Sequence, residues 1–521
     1  MSGPIEPSEA SIPRDRLRDL EDDASTLPST PPPPRHAFDP RRALALTFGI
    51  LILIGTFLLC TPVAQTSGLW AWEQAGRPFA WAVAWRSVAD QFFMATSASC
   101  VTGLSLFDLS ARYTAFGQTV LLLCIQLGGL GIMTLGTFLM TLLLGRLSPD
   151  GESQVMLSYG AASSAKARQL LRKTIRYVFA FELIGTALLF VRYHWHHGYA
   201  AGKAAWYAVF HAISAFCNAG FSLHPNNLVD IRGDWPYMLV IALLVTAGGI
   251  GFLVLANLSQ YRFWRRDLRD RGRISLHSRL VLWMTLGLVV VGGLQFTISE
   301  WNGALGANPG PSAWSLALEG HWAEAARALG FYWAKACEGF SQTAMYRTAG
   351  FNFVDMAETS QPTNFVGLLL MLVGGSPGSM AGGLKTTTVI VLFLTMRAMI
   401  RGNPEVQVHR RTIPAAVCRE AMVLVFFYIM VLFAFFFVLL LTERTLLAQR
   451  GELTLFYEIT SAFGTVGSSL NATGLLSYPG RFIICLAMYL GRLGPISVAM
   501  IVAGRGVSRH IRYPEENITV G

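Results

Sequence analysis

Apolar stretches long enough to cross a bilayer alternate with shorter ones along nearly the whole chain. A hydrocarbon core needs about 20 apolar residues per helix. Eight stretches reach that length, at about 43–64, 115–144, 173–195, 235–259, 278–299, 363–400, 415–441 and 479–504. Between the members of each successive pair sits a shorter amphipathic segment, at 86–100, 203–217, 331–346 and 449–463. These four are too short to cross and predict half-helices that enter the membrane and turn back. Irregular backbone at that depth is tolerated only where it is buried in protein or lines a cavity.

Each short segment runs into a glycine-centred turn. The turns are Val101-Thr102-Gly103, Asn218-Ala219-Gly220, Thr348-Ala349-Gly350 and Thr465-Val466-Gly467. A second cluster follows each turn: Gly128-Gly129, Gly248-Gly249, Gly374-Gly375 and Gly491-Arg492. From turn glycine to cluster the separations are 25, 28, 24 and 24 residues. Self-similarity at a fixed offset marks an internal repeat. The pattern predicts an all-α polytopic membrane protein of four helix–pore half-helix–helix units around a pseudo-fourfold central pore. The units are 41–146, 170–262, 276–401 and 414–505, flanked by tails at 1–40 and 506–521.

Composition agrees with the class. The 521 residues are 53% hydrophobic and 14% charged, against roughly a quarter charged in a soluble domain. The net charge of +10 raises the question of nucleic acid, but its distribution argues against that partner. The basic residues gather in loops between units: Arg168, Arg172, Lys173 and Arg176; Arg262 to Arg273; Arg397, Arg401, Arg410 and Arg411. Such loops are cytoplasmic by the positive-inside rule, which places both termini inside and the turns toward the outer face. The polar, Pro-rich residues 1–40 predict a disordered cytoplasmic tail without a cleavable signal. The seven cysteines show no CxxC spacing and read as packing residues. No nucleotide-binding fingerprint and no hydrolase triad or HExxH arrangement occurs, so an enzyme reading has no positive support.

The turns carry the candidate chemistry. A monovalent cation entering a narrow pore exchanges water for backbone carbonyls, and four turns supply rings of about four oxygens. Glycine accepts φ > 0, which lets successive carbonyls face one axis. Thr102, Thr348 and Thr465 add hydroxyls, and half-helix carboxyl ends add partial negative charge. For one turn alone, close helix packing is the simpler explanation. Four turns in register favour a filter.

The third and fourth units depart from the pattern below the turns. Residues 374–385 hold Gly374, Gly375, Ser376, Pro377, Gly378, Ser379, Gly382, Gly383 and Lys385, a run that cannot stay helical. It predicts a helix, an intramembrane loop and a second helix, with the loop as a candidate gate. Arg492 stands where the other units have Gly129, Gly249 and Gly375. A charge inside a span is a functional hypothesis by default; the alternative is an arginine that snorkels to the interface. Glu182 is the other intramembrane charge and reads as structurally paired rather than as a coupling-ion site. His194, His196 and His197 read as a solvated edge, without acidic companions. The 300–330 connection reads as an extracellular excursion.

These motifs together resemble the Trk/Ktr/HKT superfamily of potassium transporters, over about residues 41–521. VTGL, NAGF, TAGF and TVGS resemble its four filter signatures, SPGSMAGGLKTTT its gate loop and GRLGP its basic residue on the last helix. The absence of extra spans before the first unit and the ending at Arg512–Gly521 resemble the Ktr-type membrane subunit. That resemblance implies potassium as the transported ion, sodium as an activator, a homodimer, a cytoplasmic ring of nucleotide-binding RCK subunits and the bacterial inner membrane. Met380 and Ser468 depart from the residues usual at their positions. The rival on the same scaffold is a sodium-permeable or sodium-coupled transporter; the rival of another class is a membrane scaffold with a vestigial pore.

Overall fold

The computed structural model describes residues 40–66, 81–144, 164–261, 274–305 and 321–494. The expected tail regions before residue 40 and at 506–521, the basic run at 262–273 and the middle of the 300–330 connection lie outside the described residues.

The first unit holds α1 (Pro40–Leu59), α2 (Trp81–Ser99), the short α3 (Leu109–Arg112) and α4 (Ala115–Leu144). The second holds α5 (Ser164–Val191), α6 (Ala201–Phe216), α7 (Trp235–Gly249) and α8 (Phe252–Gln260). The third holds α9 (Leu276–Ser299), α10 (Trp322–Met345), α11 (Gln361–Leu372) and α12 (Thr386–Ile400). A hairpin of β1 (Val406–Val408) and β2 (Arg411–Ile413) leads to the fourth unit. That unit holds α13 (Ala415–Thr442), α14 (Arg444–Arg450), α15 (Glu452–Gly464) and α16 (Tyr478–Leu493).

Local sequence explains where the helices after each turn begin. α7, α11 and α16 carry Pro236, Pro362 and Pro479 in their first turn, where a missing N–H costs nothing. Asp234 and Ser477 cap α7 and α16 by accepting from Tyr237 N and Gly480 N. Two carboxylates repeat one task. Glu300, ending α9, accepts from Ser360 N (3.0 Å) and Ser360 Oγ (2.6 Å), and Glu443, ending α13, accepts from Ser477 N (3.1 Å). Each ties the end of a unit's first helix to the start of the helix that follows its turn.

Within units the helices pack in pairs: α1 on α2 and α4, α5 on α6, α9 on α10, and α15 on α16. Between units, α4 packs on α6, α7 on α10, α11 on α15, and α16 on α2. The helix after each turn thus lies against the half-helix of the next unit, and the fourth returns to the first.

Among the described residues, α9, α13 and the helical run Arg172–His196 are long and apolar enough to cross a membrane. Their outward faces keep large apolar side chains exposed, such as Leu183, Trp283, Phe426 and Phe437. Exposed apolar surface of this extent on long helices suits lipid.

Two expectations need correction. The stretch 235–259 is not one continuous helix: it breaks after Gly249 and bends by 99° into α8. Gly251, at φ +90°, makes the corner. The third short segment is not confined to 331–346 either, since α10 begins at Trp322 and runs 24 residues. Its polar first turns contain Glu324 and Arg327, which break the apolar pattern of a half-helix.

Candidate functional site

The four turns share one backbone shape. Val101, Asn218, Thr348 and Thr465 have φ of 56°, 60°, 65° and 51°, and the glycine two residues later is also positive at 98°, 71°, 65° and 93°. Three of the non-glycine residues are β-branched, for which positive φ is strained and persists only when the surroundings dictate it.

A serine in three units supplies part of that support. Thr102 N donates to Ser97 O (2.8 Å), Ala219 N to Ser214 O (2.7 Å) and Val466 N to Ser461 O (2.8 Å). The hydroxyls brace the same turns. Ser97 Oγ accepts from Gly103 N (3.2 Å), Ser461 Oγ accepts from Gly467 N (3.0 Å), and Ser214 Oγ donates to Phe221 O (2.8 Å). Each serine lies six residues before its turn glycine; the third unit has Ala344 there. Their common offset is the one sequence signal that marks them.

The turns also meet one another. A Cβ on Gly103 would fall 2.3 Å from Ala219 O, on Gly220 2.5 Å from Ala349 O, on Gly350 2.6 Å from Val466 O, and on Gly467 2.0 Å from Thr102 O. Only glycine permits these approaches, and the chain of contacts closes on itself. All twelve turn residues are buried. Among them Thr102, Thr348 and Thr465 have hydroxyl oxygens without a hydrogen-bond partner. Buried polar atoms are rarely left so.

On one side of the turns lies a cavity of about 610 Å³, lined by Gly103, Gly220 and Gly467 together with Asp108, Asp355, Glu358, His224 and Arg232. These carboxylates carry no motif in the sequence, being single residues scattered between the longer helices. Burial pushes the His224 imidazole down to about 4, with His197 and Lys203 lowering it further against Asp230.

The second glycine clusters turn out to be packing residues. A Cβ on Gly128, Gly248 or Gly491 would fall 2.0 Å from the carbonyl of Ser99, Phe216 or Phe463, two residues before the turn. Gly374 differs: its Cβ would meet Gly382 O at 2.0 Å, inside the loop of its own unit.

Residues 373–385 form a non-helical loop, nine of its thirteen residues buried and the other four half-buried. It reaches the fourth turn, since a Cβ on Gly382 would lie 2.0 Å from Thr465 Oγ1. Gly374 N donates to Leu384 O (2.9 Å), Thr386 N to Gly375 O (3.0 Å) and Ser379 Oγ to Ser376 O (2.7 Å). Lys385 Nζ donates to Ala381 O at 2.9 Å and ends at the loop's own backbone. Arg492 is 3% exposed, so it does not snorkel. Its Nη1 donates to Met380 O (2.5 Å) and its Nη2 to Gly128 O (2.9 Å). One guanidinium therefore joins the loop to α4.

Other candidates fall elsewhere. Glu182 lies 4.0 Å from Cys217 Sγ and, among the described residues, forms no ion pair. The histidines at 194–197 do have an acidic companion, contrary to expectation. Asp234 accepts from His197 Nε2 (3.0 Å) and from Arg192 Nη2 (2.6 Å). Among the described residues no His/Cys/Asp/Glu group could hold a metal ion. Arg347, unmarked in the sequence, is 5% exposed beside the third turn, with Nε and Nη2 unpartnered.

The model of the TrkH family, described as cation transport protein, matches residues 80–507, a segment holding all four turns, the loop and Arg492. The chain belongs to this family. It is 32% identical over 484 residues to the Ktr system potassium uptake protein B of Bacillus subtilis, covering 93% of this chain and 97% of that protein. It is 31% identical to the protein of the same name in Vibrio alginolyticus, over 92% and 94% of the two chains. It is 30% identical to the potassium/sodium uptake protein NtpJ of Enterococcus hirae, over 94% and 98%. The fold resembles the crystal structure of the potassium transporter TrkH from Vibrio parahaemolyticus, with a TM-score of 0.60 at 15% identity, covering 90% of this chain and 86% of that one. The relatives are ion transporters, not enzymes.

Proposed function

We propose that this chain is the ion-translocating subunit of a potassium uptake system. In this reading its four units surround a pseudo-fourfold pore. The turns at 101–103, 218–220, 348–350 and 465–467 form the filter that replaces the ion's water with oxygens. The observation that carries it is the closed succession of glycine-to-carbonyl contacts with three unpartnered threonine hydroxyls among them. Buried oxygens without donors are what a dehydrated cation needs. The carboxylates of the cavity beyond the turns raise the local concentration of cations.

The loop at 374–385 and Arg492 act as the gate. Arg492 hydrogen-bonds Met380 O and holds the loop beneath the filter. Two relatives are named as parts of a Ktr system, which supports a partner subunit; in this reading the chain works as a homodimer with a cytoplasmic nucleotide-binding RCK ring. The membrane is the bacterial inner membrane, with both termini cytoplasmic. The name potassium/sodium uptake protein on the Enterococcus hirae relative favours a role for sodium, as activator or as a second permeant ion.

The test is growth of a bacterium lacking its own potassium uptake. The wild-type chain restores growth at limiting potassium, and Thr465→Val in a protein inserted at normal level does not. Full rescue by that variant counts against the filter assignment.

A further inference from the structure

We infer that the break between α7 and α8 and the loop at 374–385 form one two-state element, in which Ser376 is a positioning residue. The inference rests on the gate reading above and adds the structural change that opening requires.

The two irregular segments exchange backbone hydrogen bonds. In an unbroken helix Phe252 N would donate to Gly248 O, four residues earlier. Here Phe252 N donates to Gly378 O (2.7 Å), and Gly248 O accepts from Met380 N (3.1 Å). Gly249 O accepts from Ser376 N (3.0 Å), and Ile250 O accepts from the Ser376 hydroxyl. The loop thus occupies the donors and acceptors that a continuous α7–α8 helix would satisfy itself. Ser376 is fully buried and engages two successive carbonyls of the break.

Withdrawing the loop leaves those groups unpaired at membrane depth, where no water replaces the lost partners. Straightening the 99° corner restores Phe252 N to Gly248 O without the loop. Loop release and helix closure are therefore one event. Gly251 permits the bent state, with φ +90°, and a Cβ there would fall 2.7 Å from Ser376 Oγ and 2.8 Å from Pro377 O.

The experiment measures potassium flux through the full chain in liposomes without a cytoplasmic partner, for Ser376→Ala, Gly251→Ala and Arg492→Ala. Ser376→Ala removes the contact from the loop side; Gly251→Ala favours the straight helix from the other. Each is expected to raise flux about fivefold, the effect of roughly one buried hydrogen bond or one glycine-to-alanine helix preference, with the potassium-to-sodium ratio unchanged. A spin-label distance from Leu239→Cys to Gln260→Cys, with the native cysteines replaced, is expected to lengthen in both. If Gly251→Ala does not insert, Ser376→Ala decides alone. Raised flux in Arg492→Ala but in neither of the others overturns this inference and leaves the gate reading standing. An unchanged label distance with raised flux overturns it as well. Unchanged flux in all three removes the gate reading and this inference with it.

Discussion

The carbonyl of Thr102 faces the α-carbon of Gly467 so closely that a Cβ there would lie 2.0 Å away. These residues are 365 positions apart in sequence, and their contact closes the succession of four turns. Gly467→Ala brings both a collision with backbone and a side chain at φ +93°, where an L-residue costs about 1–2 kcal/mol. Potassium uptake is expected to fall at least about tenfold and the preference over sodium to weaken. Ion-replacement flux on purified protein measures both; wild-type values for both ions would remove Gly467 from the filter.

Thr465→Val keeps the β-branched shape and deletes an unpartnered hydroxyl. The protein should insert with unaltered thermal stability, because no hydrogen bond is lost. The potassium concentration for half-maximal uptake should rise about tenfold, as expected for loss of one oxygen interacting with a charge. Unchanged half-saturation alongside unchanged stability would assign the hydroxyl no part in ion binding.

Arg492 serves two carbonyls at once, Met380 O and Gly128 O. Arg492→Ala should raise partner-independent flux and leave the ion preference alone, because the turns are untouched. Arg492→Lys should fall between, since an ammonium lacks the planar fork that reaches both acceptors. Equal flux in all three forms, measured by rubidium uptake into liposomes, would contradict the role.

His224 gives the cavity an acid limit. Its imidazole is held down to about 4, chiefly by burial, so it is neutral at neutral pH. As pH on the cavity side falls toward that value the ring takes up a proton beside the turns and repels cations. Below the ordinary histidine range the unfolded chain binds the proton more readily than the folded one, so stability also falls with acid. Uptake should decline steeply as pH on the cavity side approaches about 4, and His224→Gln should flatten that part of the profile. An identical decline in the variant would place the titrating group elsewhere.

The parts legible in the sequence are those that only glycine or proline can build. The four turn glycines and the run from Gly374 to Lys385 announce themselves by composition. The left-handed conformations of Val101, Thr348 and Thr465 do not, because β-branched residues argue against φ > 0 and are forced there by neighbours distant in sequence. The corner at Gly251 was hidden for a related reason. Val245 to Leu255 is apolar enough to read as continuous helix, and the bonds that stabilise its break come from a loop about 130 residues later. The buried position of Arg492 was legible from its apolar surroundings, whereas its acceptors were not, since backbone carbonyls carry no sequence signature.

The most direct test compares potassium, rubidium and sodium flux through the purified full-length chain in liposomes, with the three ions presented at equal concentration. The account predicts flux of potassium and rubidium well above that of sodium, with Gly467→Ala narrowing the difference. Absence of cation flux in correctly inserted protein, or sodium flux equal to that of potassium in the wild type, would contradict it.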